Sequence, residues 1–263
     1  MPLAISPDSA ANTATTQDVF ALPFLEQIAF FKDKLNLPTQ AWDDILKAAH
    51  DNAFVVAGAT KAELLADLNA AVLAAIKDGE TINAFRKRFD EIVKKHGWEG
   101  WTGSDTKAGR DWRTRVIYQT NLSTSYNAGR WAQLHDPDLL KSRPHWKYVH
   151  NDTVMHPRPL HLAWGNLPVV LHHTDPWWTT HFTPNGWGCR CRIIAVTAAE
   201  YKGLPAPNNG TYIHVDLNGI AHDVPMGLDY GWDYAPGASV YKPDLSRYPQ
   251  SIAEALATDL VGR

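Results

Sequence analysis

Residues 181–192 read His-Phe-Thr-Pro-Asn-Gly-Trp-Gly-Cys-Arg-Cys-Arg, and this stretch governs the interpretation of the second half of the chain. Its centre, residues 184–188, favours a tight loop, because proline fixes the backbone and glycine accepts conformations closed to other residues. The loop leads into a predicted strand over residues 190–196. Residues i and i+2 of a strand point to the same side, so Cys189 and Cys191 are predicted to face one common object.

Two histidines upstream of this loop complete a candidate metal site. They stand at the two ends of the segment His-Pro-Arg-Pro-Leu-His, residues 156–161. Two sulfur and two nitrogen ligands form a usual tetrahedral zinc set, and here that set would be His156, His161, Cys189 and Cys191. One residue between paired cysteines is shorter than the usual zinc spacing. The alternative is therefore a pair of buried thiols with no cofactor.

Two catalytic interpretations of the same cluster stay open. A metal-dependent hydrolase or nuclease needs an acidic base beside the metal, for which Asp152 and Asp175 are candidates. A cysteine nucleophile would take His181 as its base, but no third residue is placed to orient that histidine. The chain has neither a phosphate-binding glycine loop nor a Gly-x-Ser-x-Gly motif. A protein without catalytic residues is the favoured interpretation.

Composition excludes several classes of protein. The 263 residues are 44% hydrophobic and 20% charged, which is typical of a soluble globular chain of one or two domains. Two cysteines rule out a disulfide framework, and no apolar run approaches the roughly 20 residues that span a bilayer. The N-terminus lacks the basic and apolar pattern of a secretory signal. We therefore expect folding in the cytoplasm without a membrane.

Charge and aromatic content are unevenly distributed. Seven of the 12 His lie between His145 and His181, and six of the 11 Trp lie at or beyond Trp146. Residues 107–192 carry 11 Lys or Arg against 5 Asp and no Glu. This basic segment makes a DNA-binding module the third hypothesis. A mixed surface is favoured over it, because nucleic-acid domains are usually more strongly basic.

The first part of the chain predicts a flexible arm followed by a helical domain. Residues 1–18 are small and polar, as in a mobile terminus. Residues 19–97 show four stretches with helical spacing of apolar residues, which begin near Phe24, Trp42, Thr60 and Thr81. Thr60 with Glu63 forms a capping-box pattern, and Gly79 and Gly97 follow the last two helices.

The second part, residues 107–263, predicts an α+β domain. A long helix is expected over residues 107–134, with an unusually polar middle at residues 119–127 that either makes internal hydrogen bonds or lines a polar groove. Short strands are expected near residues 146–150, 167–171 and 190–196. Asn218-Gly219 between two strand-like runs predicts a hairpin, and residues 246–261 predict a final amphipathic helix. Long loops join these short elements.

Several of these segments resemble the phage Mu F-like head morphogenesis family. The most specific is Asn-Gly-Trp-Gly-Cys-Arg-Cys, residues 185–191. The central helix Arg-Val-Ile-Tyr-Gln-Thr-Asn-Leu-Ser-Thr-Ser-Tyr-Asn-Ala-Gly-Arg, residues 115–130, is also similar. Shorter similarities lie at residues 29–38, 158–161, 175–178 and 231–237. Ala235 departs from the asparagine that is usual in that last motif.

The resemblance implies a minor head protein of a tailed phage or prophage. Such a protein would act during procapsid assembly near the portal, in several copies per particle. Its implied partners are portal or major capsid proteins, with packaged DNA as a further contact, and its implied location is the virion head after assembly in the host cytoplasm. The family resemblance implies no enzymatic activity.

Overall fold

The structure is a computed structural model that describes residues 23–241. Across this range it is an α+β protein, which confirms the predicted fold class. The predicted arm over residues 1–18 and the predicted last helix over residues 246–261 lie outside the described residues. Within the described part, no helix has both the length and the apolar character needed to cross a membrane.

Helices dominate the first part of the described chain. Its elements are α1 (Leu25–Lys32), β1 (Leu35–Asn36), α2 (Ala49–Asn52), β2 (Ala53–Phe54), α3 (Ala62–Asp78) and α4 (Ile82–His96). Gly79 and Gly97 end α3 and α4 in the left-handed conformation, as predicted from their positions. The Thr81 hydroxyl accepts a hydrogen bond of 3.3 Å from the Ala84 amide and so caps α4.

Two local predictions in this part are wrong. The helical spacing that begins at Trp42 produces only the four-residue helix α2, preceded by turns. Trp42 packs edge-on against Trp187 and Tyr230, with ring centroids about 6 Å apart. Trp42 therefore packs against residues far away in the sequence and is not part of a helix. Thr60 makes no cap either, because α3 begins at Ala62 after Lys61, which has no side-chain capping bond.

The predicted long helix is confirmed as α5, Lys107–Leu134. The Thr106 hydroxyl caps it by accepting a hydrogen bond of 2.9 Å from the Gly109 amide. Ile117, in its first half, packs among the helices that precede it. Trp131 and Leu134, in its last turns, pack into the part that follows. One helix thus contributes to two hydrophobic cores.

The remainder of the described chain is built from short elements. They are α6 (Pro137–Ser142), β3 (His145–Val149), α7 (Pro159–Asn166), β4 (Val170–His172), α8 (Trp177–His181), β5 (Arg192–Val196), a 3₁₀ turn (Ala198–Glu200), β6 (Thr211–Val215) and β7 (Ala221–Pro225). The central sheet has the antiparallel order β4-β3-β5. In it Tyr148 lies opposite Ile193, and Val149 lies opposite Arg192.

The two cores differ in composition. The helical core is aliphatic and phenylalanine-rich; its largest fully buried side chains are Phe31, Phe54, Leu64, Leu65, Leu68, Phe85 and Phe89. The aromatic core is rich in tryptophan and tyrosine; it includes Trp131, Trp146, Tyr148, Trp164, Trp177, Trp178, Phe182 and Tyr230. The tryptophan excess of the sequence is thus largely a packing feature, since aromatic side chains bury large areas.

The two parts are also joined by a buried carboxylate. Asp51 accepts hydrogen bonds from the Gly237 amide at 2.9 Å and from the Ser239 hydroxyl at 2.8 Å. Burial raises the pKa of Asp51, while these two residues and the charge of Lys34 lower it. The division into domains at residues 97–107 stays a prediction, because α5 and Asp51 link both sides of it.

The predicted hairpin is present with a longer loop than expected. Val215 of β6 pairs with Ala221 of β7, which leaves five residues between the strands. The Asp216 carboxylate accepts hydrogen bonds of 2.9 Å from the amides of Asn218 and Ile220. Its side chain therefore closes the loop in place of a two-residue turn.

Candidate functional site

The loop between α8 and β5 is held from inside by its own buried polar side chains. Asn185 is fully buried, and its amide nitrogen donates a 2.9 Å hydrogen bond to the carbonyl of His181. The Tyr148 hydroxyl donates to the Asn185 side-chain oxygen at 3.1 Å. The Thr183 hydroxyl donates to the Asn127 side chain of α5 at 2.7 Å. These bonds fix the loop against β3 and α5.

An ion pair holds the outer side of the same loop. Arg158 lies 2.7 Å from the Asp229 carboxylate and donates a 3.1 Å hydrogen bond to the carbonyl of Trp187. The same carboxylate accepts a 2.8 Å hydrogen bond from the Trp187 amide. A side-chain carbon at Gly186 would stand 2.3 Å from an Asp229 oxygen. Glycine is thus required here for space.

The loop and α7 bring three of the four predicted metal ligands together. The ligand atoms of His161, Cys189 and Cys191 all lie within 4.8 Å of one another, and all three residues are buried. The His161 Nδ1 atom is 3.7 Å from the Cys189 sulfur and 3.7 Å from the Cys191 sulfur. Both cysteines are free thiols, with no disulfide.

The fourth predicted ligand does not join this cluster. His156 is exposed on the segment before α7, whereas His150 is buried and places its Nδ1 atom 3.5 Å from the Cys191 sulfur. The structure therefore places His150, and not His156, beside Cys191, although His150 is not among the residues whose ligand atoms all lie within 4.8 Å of one another. The reason is the strand register: His150 directly follows β3 and Cys191 directly precedes β5, one step beyond the pair Val149 and Arg192.

His150 packs closely against α7. A side-chain carbon at Gly165 of α7 would stand 2.4 Å from the His150 β-carbon. Glycine at this position lets the helix approach the end of β3. The pattern that could have identified His150 was therefore the pairing of two predicted strands, and not a ligand motif.

Hydrogen bonding orients the His161 ring. Its Nε2 atom lies 2.7 Å from the carbonyl oxygen of Gly227, which requires a proton on Nε2. In the neutral ring, the Nδ1 lone pair then faces the two sulfurs. The ring also stacks on Trp164, with centroids 5.4 Å apart at 18°. A backbone carbonyl that fixes the tautomer is the usual support of a metal-ligating histidine.

The two thiols titrate as one pair. The hydrogen bond from Cys189 lowers the pKa of Cys191, although burial opposes the shift. The same bond and burial raise the pKa of Cys189. Burial, with the nearby cysteines, raises the pKa of Tyr148. Of the two thiols, that of Cys191 therefore has the lower pKa.

The carboxylates considered for hydrolysis lie elsewhere. Among residues 23–241, the sole cluster of three or more potential ligands contains no Asp or Glu. Asp175 lies just before α8, where its side-chain oxygen accepts a 2.9 Å hydrogen bond from the Trp177 amide. Asp152 is exposed. A hydrolase or nuclease that uses the cluster is therefore not favoured.

His181 is likewise engaged in packing. Its ring stacks on Trp177 with centroids 4.3 Å apart, and burial lowers its pKa to about 4. The recorded contacts of the two cysteine sulfurs are with His150 and His161. The geometry thus gives no support to a cysteine nucleophile with His181 as its base.

The polar middle of α5 makes both of the predicted arrangements. Thr124 and Ser125 are buried and donate hydrogen bonds to carbonyls one turn earlier, at 2.9 and 2.6 Å. On the neighbouring face, Gln119, Thr120 and Ser123 line an open groove. Residues 184–192 form the opposite wall, which includes the exposed side chains of Arg190 and Arg192.

The basic segment over residues 107–192 is partly neutralised. Four of its cations form ion pairs with carboxylates: Lys107, Lys141, Lys147 and Arg158. Arg113 is buried and donates to the carbonyl of Ala57. The positive charge available to contact DNA phosphates is therefore smaller than the excess of Lys and Arg in this segment suggests.

Comparison with known proteins places these features in a family. Residues 66–194 match the family model described as phage Mu protein F like protein. A protein F of Escherichia phage Mu, named for capsid assembly, is 32% identical in an alignment of 254 positions that covers 85% of this chain and 56% of that protein. The Mu-like prophage FluMu F protein of Haemophilus influenzae is 31% identical in an alignment of 233 positions that covers 79% of this chain and 55% of that protein. The chain thus spans about half the length of these relatives. No solved structure matches it significantly.

Proposed function

This chain belongs to the phage Mu protein F like family through residues 66–194, and on that premise we propose that it is a minor head protein in phage capsid assembly. The observation that carries the proposal is the match over 85% of the chain to a relative named for capsid assembly. The proposed place of action is the procapsid, near the portal vertex. Several copies per particle would then remain in the virion head after assembly in the host cytoplasm.

The described geometry supports a structural role over an enzymatic one. Within residues 23–241, the cluster of His161, Cys189 and Cys191 includes no Asp or Glu to act as a general base. The polar groups of the loop before β5 are used to fix that loop, as shown by the bonds of Asn185 and Thr183. We infer a protein that works by binding other head components.

The hairpin of β6 and β7 supplies a surface for such binding. Four apolar side chains on its outer face and loop are exposed: Ile213 61%, Val215 58%, Leu217 72% and Ile220 56%. Exposed apolar residues grouped together mark interaction sites more often than those scattered singly. We propose that this face contacts a capsid or portal protein of the same particle.

Procapsid co-sedimentation tests this proposal. The chain should sediment with procapsids assembled from the same phage's head proteins, and omission of the portal should strongly reduce its amount. The double variant Ile213→Ser and Val215→Ser should reduce binding at least about tenfold, which corresponds to about 1.4 kcal/mol. The matched control is Leu167→Ser and Leu204→Ser, which alters two exposed apolar residues away from the hairpin.

The outcomes separate the parts of the proposal. Binding that is independent of the portal would contradict the portal location and keep the capsid role. Equal binding by the hairpin variant would contradict the assignment of this face. No sedimentation with any procapsid would contradict the head-assembly function itself.

We propose packaged DNA as a further partner of the chain. Two exposed cations, Arg190 and Arg192, border the groove beside α5. If they contact phosphates, DNA binding by the chain should weaken as salt rises, because counterions are released on binding. Arg190→Gln with Arg192→Gln should lower the salt dependence. Binding that is absent or insensitive to salt would contradict DNA contact.

A further inference from the structure

We propose a structural zinc site that ties α7 to the adjoining ends of β3 and β5, with the ligand set His150, His161, Cys189 and Cys191. This inference is independent of the role in head assembly. It rests on the identity of the donors, their separations, their burial and the orientation of the rings. Two of the ligands come from the loop before β5, one from the end of β3 and one from α7.

Three of the separations between donor atoms match those around a tetrahedral zinc ion. With the usual zinc–sulfur and zinc–nitrogen bond lengths, a tetrahedral ion holds a sulfur and a nitrogen about 3.6 Å apart. The three recorded sulfur–nitrogen separations are 3.7, 3.7 and 3.5 Å. His161, Cys189 and Cys191 have ligand atoms that all lie within 4.8 Å of one another, whereas His150 contacts Cys191 alone, so its side chain would have to move towards the other two ligands to complete the set.

The donor chemistry favours zinc among the common biological cations. Two thiol sulfurs and two imidazole nitrogens are soft or borderline ligands, which suit zinc and exclude calcium or magnesium sites built from oxygen. The His161 Nε2 atom is bound to the Gly227 carbonyl at 2.7 Å, so its Nδ1 atom is free to coordinate. Four protein ligands leave no position for a reacting water, which makes the site structural.

The position of the site explains what the ion would do. His150 directly follows β3 and Cys191 directly precedes β5, and the chain beyond each of these residues is an irregular loop. A metal shared by these two residues holds the strand ends in one register. His161 attaches α7 to the same point, so three segments distant in sequence are joined without a disulfide.

Elemental analysis of the full chain is the direct test. The protein is produced in zinc-supplemented medium, purified under reducing conditions and analysed for metal. We expect about one zinc per chain, and removal with a strong chelator should lower the melting temperature by about 10 °C. The metal-free protein titrated with cobalt(II) should show the visible bands of tetrahedral cobalt and a thiolate-to-cobalt charge-transfer band. If neither zinc nor the cobalt bands are found, the proposal is wrong and the cysteines are buried thiols.

A pair of histidine variants tests the ligand assignment. His150→Ala should weaken zinc binding about tenfold or more in competition with a chromogenic chelator. His156→Ala changes an exposed histidine from the neighbouring segment and should bind zinc as the wild type does. The reverse result would overturn the assignment of His150. His150→Cys separates loss of a ligand from loss of folding: it should retain metal and shift the cobalt charge-transfer band towards that of a three-thiolate site.

Discussion

The helical core and the aromatic core of this chain are held in place by different kinds of contact. In the helical core, residues such as Leu68 and Phe89 are brought together by regular helices whose ends are set by local signals. In the aromatic core, short strands are joined by loops that long-range bonds hold in place, among them those of Asn185 and Asp229. Local sequence determines the first core, whereas the second depends on contacts between distant residues.

The largest expected effect is in the loop of the aromatic core. Gly186→Val should destabilise the protein by about 3–5 kcal/mol, because overpacking adds to the loss of hydrogen bonds to a charged group. The new side chain would displace Asp229 from Arg158 and from the Trp187 amide. Chemical denaturation monitored by tryptophan fluorescence measures the change.

Gly188 provides the matched control for this substitution. Its φ angle is +70°, but nothing lies within 4 Å of an added side-chain carbon. Gly188→Ala should therefore cost only about 1–2 kcal/mol from backbone strain. Equal effects at the two glycines would show that the ion pair at Asp229 is not what makes Gly186 necessary.

The second effect concerns the junction between the two cores. Burial and the charge of Lys34 lower the pKa of His50 from 6.5 to about 4. The unfolded chain therefore takes up a proton before the folded chain does, and stability falls as the pH drops from 7 towards 4. His50 alone should account for about 2 kcal/mol of that loss by pH 4.5.

Comparison with a variant isolates this contribution from the other titrating groups. His50→Gln keeps a side-chain donor for the carbonyl of Ile45 but does not titrate. The stability difference between wild type and variant should change by about 2 kcal/mol between pH 7 and pH 4.5. A difference that is constant over this range would contradict the proposed effect of His50.

The smallest expected effect lies at a helix end in the helical core. Thr81→Ala removes the hydroxyl that accepts from the Ala84 amide and should cost about 1 kcal/mol. Thr60→Ala is the control, because Thr60 is exposed and does not cap α3. Its effect should stay within about 0.5 kcal/mol. A larger loss of stability for Thr60→Ala would contradict the structure and indicate that Thr60 caps α3.

The comparison of the two cores also explains which predictions from sequence are confirmed. The bounds of α5 and the caps at Thr81, Gly79 and Gly97 depend on neighbours within a few residues, and the structure confirms them. The helix expected from Trp42 does not form, and Trp42 instead packs against Trp187 and Tyr230, which are far away in the sequence.

The same distinction between local and long-range contacts applies to the candidate site. Both thiols face one region, where His161 meets them, as predicted, but β5 begins at Arg192, so neither cysteine lies in the strand from which that prediction was made. His150 required the register of β3 against β5, because it lies 41 residues from Cys191 in sequence. His156 was predicted as a ligand from its position in the segment at residues 156–161, but its side chain is exposed. Metal binding itself stays a prediction until zinc is measured.

The long helix α5 has a mechanical consequence for the chain. At 28 residues it is about 42 Å long, and its two halves are anchored in different cores by Ile117 and Trp131. It acts as a strut, so a force applied to one core is transmitted to the other without passing through a flexible linker. A chain cut before residue 107 would leave this strut with one end unsupported.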